Sequence, residues 1–352
     1  MESLYGMDPA ELAGVLSLSP PFRARQVHSW LSRGVSSFDE MTDLSLFDRK
    51  RLQSLYPRIP SSEVSSELDD PDGALKLQLR LADGAAVECV LLEDIEDRRT
   101  ACLSSQVGCP MGCTFCRTGA LGYLRDLSAG EIMEQFHFLA ARRGKPSNVV
   151  FMGMGEPCDN LEAVRRAIAI LSGAVGISLR KITISTSGVV PGILDLAEKG
   201  PAVRLAVSLT TADEELRSRL MPINRRWGLA ALKDALLRYQ EATGERVTLE
   251  CAIMGGVNSS AASARELVAW IGRLKVQVNV IAWNKVPDLP FSEPTRTELE
   301  DYVAVLEESG ITASRRMRRG RGVMGACGQL GDTLRAAVAT GAEPGSGNLT
   351  IR

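Results

Sequence analysis

The sequence predicts an α/β protein, a partial (β/α)6 barrel preceded by a small helical module and a β-hairpin extension. Two observations carry this. From about Thr100 onward, short β-rich runs alternate with amphipathic segments of helical length, the pattern of a parallel sheet with crossover helices. Ahead of them, a helix-spaced stretch is followed by two strand-like runs around a turn signal. At 352 residues the chain can bury one large domain with a small accessory. The expected organisation is a helical module over 1–60, a linker and hairpin over 61–97, the barrel with a C-terminal loop over 98–335, and a tail over 336–352.

In the helical module, Leu12, Val15, Val27, Trp30, Leu31, Leu46 and Leu52 recur at helical spacing, and Pro20-Pro21 interrupts them. The run FRARQVHSW at 22–30 sets Arg23 and Arg25 beside aromatic residues at a helix start. That suits an RNA-facing surface, and equally a helix whose arginines snorkel. Residues 61–73, rich in Ser, Asp and Glu, read as a linker. Runs 75–81 and 86–92 flank Asp83-Gly84 and predict a hairpin. The six barrel runs are 101–104, 148–152, 181–185, 204–208, 246–253 and 277–283. Between the first two, SAGE at 128–131 is a capping box that opens a helix. Function is expected at the C-terminal ends of these strands.

Composition narrows the class. The net charge of −2 argues against indiscriminate polyanion binding but leaves room for a local basic face. No run of eighteen apolar residues occurs, so no membrane span is expected. The first residues lack a secretory pattern, which points to the cytoplasm. Eight cysteines are sparse for a disulfide scaffold of this length, so clustered ones are candidates for metal or catalytic chemistry.

Such a cluster exists: CPMGCTFC at 109–116 places Cys109, Cys113 and Cys116 in a C-x3-C-x2-C run just after the first barrel strand. Three thiolates can hold a four-iron cluster and leave one iron open to a small molecule. The competing reading is structural zinc, which wants four protein ligands; the other cysteines and histidines form no second paired motif. FMGMGEP at 151–157 ends the second run, with Gly155 for close backbone approach and Glu156 as a carboxylate for an ammonium group. Ser185, Ser208, Leu209, Thr210 and Asn284 stand at the ends of later runs. Arg315, Arg316, Arg318, Arg319 and Arg321 form a basic run ahead of Cys327, suited to RNA phosphates or to a solvated face.

The C-x3-C-x2-C run resembles the hallmark of radical-SAM enzymes, in which the open iron binds S-adenosylmethionine (SAM). Over almost its whole length the chain is similar to the radical-SAM rRNA adenine methyltransferases of the RlmN/Cfr type, closer to RlmN. The matching segments are 22–30, 102–116, 151–157, 184–191, 222–224 and 326–330. The resemblance implies a [4Fe-4S] cluster on Cys109, Cys113 and Cys116, with SAM held by Gly155, Glu156, Ser185, Ser208, Leu209, Thr210 and Asn284. It implies two SAM per turnover, one methylating Cys327 and one cleaved to a radical that abstracts hydrogen from the S-methyl group. The carbon radical then adds to an adenine ring carbon, which is not nucleophilic enough for polar transfer. Glu88 is the implied proton acceptor, and Cys102 the resolving thiol that releases the base through a transient disulfide with Cys327. Implied partners are 23S rRNA, with tRNA as a second substrate, and an electron donor such as flavodoxin or ferredoxin; a monomer is expected.

Three positions depart from the family pattern. Thr210 stands where histidine is common, Gly322-Val323-Met324-Gly325 replaces a usually acidic segment, and Cys158 replaces an apolar residue. The expected product is the carbon-2 methyladenine, with carbon 8 the alternative. A radical-SAM activase of a protein partner and a non-enzymatic iron–sulfur or zinc RNA-binding protein are the other classes; the latter predicts no SAM cleavage.

Overall fold

The structure, a computed structural model, describes residues 3–331 apart from 95, 97 and 317. The expected tail over 336–352 lies outside the described residues, as do the last four positions of the barrel segment. The chain begins with α1 (Pro9–Val15), α2 (Phe22–Leu31) and α3 (Leu46–Leu55). Asp8 caps α1 through a reciprocal capping box with Glu11, with Pro9 in its first turn. Leu12, Val27, Phe38 and Leu52 are wholly buried and form the core of this module.

The sheet starts with β1 (Glu63–Asp70), β2 (Ala74–Arg80), β3 (Ala86–Glu93) and β4 (Arg99–Cys102), consecutive and antiparallel. A short ribbon of β5 (Gln106–Gly108) and β6 (Tyr123–Asp126) stands apart, joined through α4 (Arg117–Leu121). Then α5 (Ala129–Arg143) leads to β7 (Asn148–Phe151), α6 (Leu161–Gly173) to β8 (Ile182–Thr186), and α7 (Val190–Lys199) to β9 (Arg204–Ser208). Two helices, α8 (Glu214–Leu220) and α9 (Leu229–Thr243), precede β10 (Val247–Ile253). Finally α10 (Ala261–Ile271), β11 (Val276–Ala282), α11 (Arg296–Glu308) and β12 (Ala313–Arg315) complete the order. Among the described residues the main sheet has ten strands, ordered β1-β2-β3-β4-β7-β8-β9-β10-β11-β12, and is parallel from β4 onward. All six expected barrel runs are strands of it.

Two expectations change. The segment read as a linker, 61–73, contains β1, so the hairpin is a three-stranded antiparallel sheet continuous with the barrel. Its polar composition reflects its place: β1 is an edge strand, and charged side chains with a register shift between Val64 and Ser66 keep an edge from recruiting another chain. The barrel also gains a seventh parallel strand, β12, within the arginine run.

The helical module docks on α5. Glu134, wholly buried, accepts from the backbone N–H groups of Ser61 and Ser62 at 2.7 and 2.9 Å. One turn on, the His137 ring lies 4.7 Å from that of Tyr5. Burial pushes the His137 imidazole from 6.5 down to about 4. The unfolded chain therefore binds a proton between these values that the folded chain refuses. Stability is full above pH 6.5 and is lost as pH falls toward 4, by about 3 kcal/mol in total. Denaturant midpoints followed across this range are expected to fall in the wild type and to flatten in His137→Phe; parallel curves would assign the acid limb to other groups.

Candidate active site

The cysteine loop is shaped by its ends. Gly108, at φ +78, leads into Cys109, whose N–H donates to the Gly122 carbonyl at 2.8 Å. A Cβ on Gly108 would stand 2.0 Å from that same carbonyl oxygen, so only glycine closes the ribbon here. The Thr114 N–H donates to the Leu220 carbonyl at 2.9 Å, and the Trp283 indole donates to the Phe115 carbonyl at 2.9 Å. These bonds fix Cys109, Cys113 and Cys116 on one half-exposed loop, none in a disulfide. Burial and the neighbouring sulfurs raise Cys109 and Cys113, and burial raises Cys116. Among the described residues no three His, Cys, Asp or Glu side chains are drawn around a single metal position. Three thiols on one loop are the donor set of a cluster with one open iron.

The glycines of 151–157 are packed against the chain beyond β4. Gly155, at φ +100, presses against Gln106, whose backbone nitrogen would lie 2.7 Å from an added Cβ. Glu156 is buried and already engaged: one carboxylate oxygen accepts from the Ser187 N–H and hydroxyl, both at 2.7 Å, and the other from the Cys158 N–H at 3.0 Å. Burial nevertheless raises its carboxyl. Ser187, which the sequence reading passed over in favour of Ser185, thus ties the end of β8 to the end of β7.

Beside them Arg217 is wholly buried on α8, donating to the carbonyls of Ser187 and Leu209 at 2.8 and 3.2 Å and to Asn224 at 2.7 Å. Burial lowers it to about 10. Ser208 ends β9, and the Leu209 N–H donates to the Glu250 carbonyl at 3.0 Å. Thr210 is buried at φ +66, a strained conformation for a β-branched residue at the centre of the candidate site.

The C-terminal loop meets all of these. Asn284 donates to the Cys327 carbonyl at 3.1 Å, while its own Oδ1 is buried with no hydrogen-bond partner among the described residues, an acceptor open to a ligand. The Arg117 N–H donates to the Gly328 carbonyl at 2.8 Å and the Thr118 hydroxyl to the Leu330 carbonyl at 2.7 Å, so the cysteine loop and the Cys327 loop are directly bonded. On its other side, the Gly331 N–H donates to Glu88 Oε2 at 2.9 Å. Glu88 is wholly buried on β3, and Lys76 Nζ, also buried, lies 3.6 Å from its other oxygen. Cys102 ends β4 and is pushed up to about 12 by burial and by the neighbouring Cys327. Cys327 is exposed, although the protein around its sulfur still raises the thiol.

The arginine run is not one basic surface. Arg315 lies in β12, Arg318 and Arg321 share Glu293 at 2.8 and 2.7 Å, and Arg316 turns toward Glu250, Cys102 and Cys327. On α2, Arg23 bonds Gln26 and the Asp43 carbonyl and covers the Phe22 ring, whereas Arg25 is exposed. At the segment that departs from the family's acidic pattern, acidic groups come from elsewhere: Asp72, in the turn after β1, and Asp70, the last residue of β1, accept from the N–H groups of Gly320 and Gly322 at 2.7 and 2.6 Å.

Residues 103–268 match the Radical SAM superfamily, and residues 3–56 match the Ribosomal RNA large subunit methyltransferase N-terminal domain. A probable dual-specificity RNA methyltransferase RlmN of Treponema pallidum is 49% identical over 94% of this chain and 98% of its own. The chain belongs to the RlmN family. The Moorella thermoacetica RlmN relative is 43% identical over 93% of this chain and 96% of its own. The crystal structure of a radical SAM methyltransferase from Sphaerobacter thermophilus superposes with a TM-score of 0.89 at 39% identity, covering 94% of this chain and 99% of that one. As an RlmN-family member the protein is an enzyme of the radical-SAM methyltransferase class, a class that works with SAM and a [4Fe-4S] cluster. Among the described residues no helix is long and apolar enough to cross a membrane.

Proposed function

We propose that this RlmN-family enzyme methylates carbon 2 of an adenine in 23S rRNA, with tRNA as a second substrate, through a methylated Cys327 and a transient Cys102–Cys327 disulfide. The observation that carries it is the double attachment of the Cys327 loop, to the cysteine loop through Arg117 and Thr118 and to Glu88 through Gly331. A cluster on Cys109, Cys113 and Cys116, fed by a flavodoxin or ferredoxin, would supply one-electron chemistry with two SAM per turnover.

The remaining work falls to the chain. Gly155, Glu156, Ser185, Ser208, Leu209, Thr210 and Asn284 line the strand ends where SAM would lie. Cys327 carries the methyl carbon to the base. Glu88, beneath the loop, accepts the proton from the adenine carbon, and Cys102 then attacks the Cys327 sulfur to free the methylated base. An adenine ring carbon inside a stacked helix is out of reach, so the base enters the mouth flipped out. Arg25, Arg315 and Arg319, with the Arg23–Phe22 pair, offer phosphate and stacking contacts around it. The protein works as a monomer in the cytoplasm, where its RNA is.

Reconstituted enzyme is given methyl-labelled SAM, a reductant and protein-free 23S rRNA, and label is followed on RNA and protein. Label is expected in 2-methyladenosine, absent with Cys327→Ala, and stalled as a covalent protein–RNA adduct with Cys102→Ala. SAM cleavage without RNA label would move the substrate elsewhere, and label in 8-methyladenosine would overturn the carbon assignment.

A further inference from the structure

The polar interior of the barrel contains a set of residues that the reaction outlined above leaves unused. Glu250, 6% exposed on β10, has one carboxylate oxygen bonded by the Asn279 amide at 2.9 Å. Asn279 is itself oriented by the Ser314 hydroxyl at 2.7 Å. The second oxygen, Oε2, is buried with no hydrogen bond among the described residues. Facing it at 3.9 Å is the guanidinium of Arg316.

Arg316 is placed by the seventh strand: immediately after β12, its N–H donates to the Val280 carbonyl at 3.0 Å, which turns the side chain over the barrel mouth. There the same guanidinium nitrogen lies 3.9 Å from the Met152 sulfur, at the end of the strand next to β4. The side chain keeps 41% of its surface accessible, yet protein surrounds its charged end. Burial works against that charge, and Glu250, Cys327 and Cys102 outweigh it. Arg316 therefore reaches from the β10–β12 side of the barrel to Met152 at the end of β7, and from there its charge acts on the two thiols.

We propose that Arg316, held by Glu250 with the Ser314–Asn279 chain behind it, is the cation that stabilises the Cys102 thiolate as it forms and attacks Cys327. The proposal rests on the assignment of Cys102 and Cys327 as the reacting pair. A buried thiol needs such help: burial and the neighbouring Cys327 leave Cys102 protonated at neutral pH, and Arg316 is the side-chain cation opposing them. In the step itself the Cys102 thiolate forms a bond to the Cys327 sulfur. The bond from that sulfur to the base-bound methylene breaks, its electron pair stays with the carbon, and a proton completes the methyl group. The products are methylated base and a disulfide, which an external thiol reduces before the next turnover. Glu250 acts through Arg316, as a positioning residue.

The exchange can be watched without RNA. Anaerobic holoenzyme is treated with dithiobis(nitrobenzoate), which forms a mixed disulfide at the exposed Cys327 and releases one nitrothiophenolate. Attack by Cys102 then releases a second, in a slower phase that Cys102→Ala removes. Arg316→Met is expected to slow this second phase roughly thirtyfold, the size of one partly screened charge interaction. Arg316→Lys should restore it to within about fivefold, and Glu250→Gln should slow it to a rate between wild type and Arg316→Met.

In turnover, Arg316→Met should accumulate the same protein–RNA adduct as Cys102→Ala. A second phase at the wild-type rate in Arg316→Met, or no rescue by lysine, overturns the proposal. If Arg316→Met loses its iron or exposes the buried cysteines, Arg316→Lys and Glu250→Gln decide the matter by the same rates. Failure of the underlying pair looks different, since wild-type enzyme would then show no second phase at all.

Discussion

Glu88→Gln is expected to lower methyl transfer to RNA by about 10²–10⁴-fold, the usual worth of a positioned general base, while SAM cleavage and Cys327 methylation continue. It is also expected to destabilise the fold. Lys76 and Glu88 are both buried, and removing one charge leaves the other uncompensated, which costs about 3–5 kcal/mol. The two effects separate in a double variant. Lys76→Met with Glu88→Gln removes both charges, so the thermal midpoint should recover most of the loss while the methylation defect remains. Recovery of methylation in the double variant would mean that Glu88 matters only as a counter-ion to Lys76, and the base would have to be sought elsewhere.

The second large effect concerns the cluster. Gly108→Ala would drive a methyl group to 2.0 Å from the Gly122 carbonyl oxygen and also force an L-residue to φ +78. Because the clash is with backbone, relief requires the ribbon of β5 and β6 to open, and the three cysteines hang from that ribbon. Reconstituted Gly108→Ala is expected to hold less than about one tenth of the wild-type iron, and to cleave SAM in proportion, as expected when a site's supporting geometry is lost. Gly84→Ala is the control: the same sign of φ, +87, but nothing within 4 Å of the added carbon. It should cost about 1 kcal/mol and leave the iron content unchanged. Normal iron in Gly108→Ala would show that the ribbon yields without disturbing the cysteines.

How much of this was legible in advance follows from how each residue is used. The barrel strands are β-rich runs separated by segments of helical length, and in β7, β8, β10 and β11 buried residues largely alternate with partly exposed ones; that pattern announces itself. The cysteine spacing did so for the candidate cluster. The edge strand β1 did not, because its solvent-facing charges imitate a linker, and β12 is three residues, Ala-Ser-Arg, hidden in a basic run. Ser185 and Ser187 differ by one strand step, and sequence cannot say which of them turns to Glu156. Arg217 sits in EELRSRL, which reads as an ordinary solvated helix; the carbonyls of Ser187 and Leu209, just beyond β8 and β9, explain why one of its arginines is wholly buried. Arg316 looked like its neighbours in the same way. A run of like charges conceals the member that turns inward, since the property that distinguishes it is direction, not identity.

The carboxylates of Asp70 and Asp72 have a consequence for the seating of the Cys327 loop. They grip the Cys327 loop across 252 and 248 residues of chain, joining a turn beside the first edge of the sheet to the segment that follows its last. Closing contacts of such long sequence separation carries a large entropic cost, repaid only when both ends of the sheet are in place. The position of that loop is thus tied to the edge strand at the far end of the sheet from β12, so damage to the turn after β1 is felt at the candidate site.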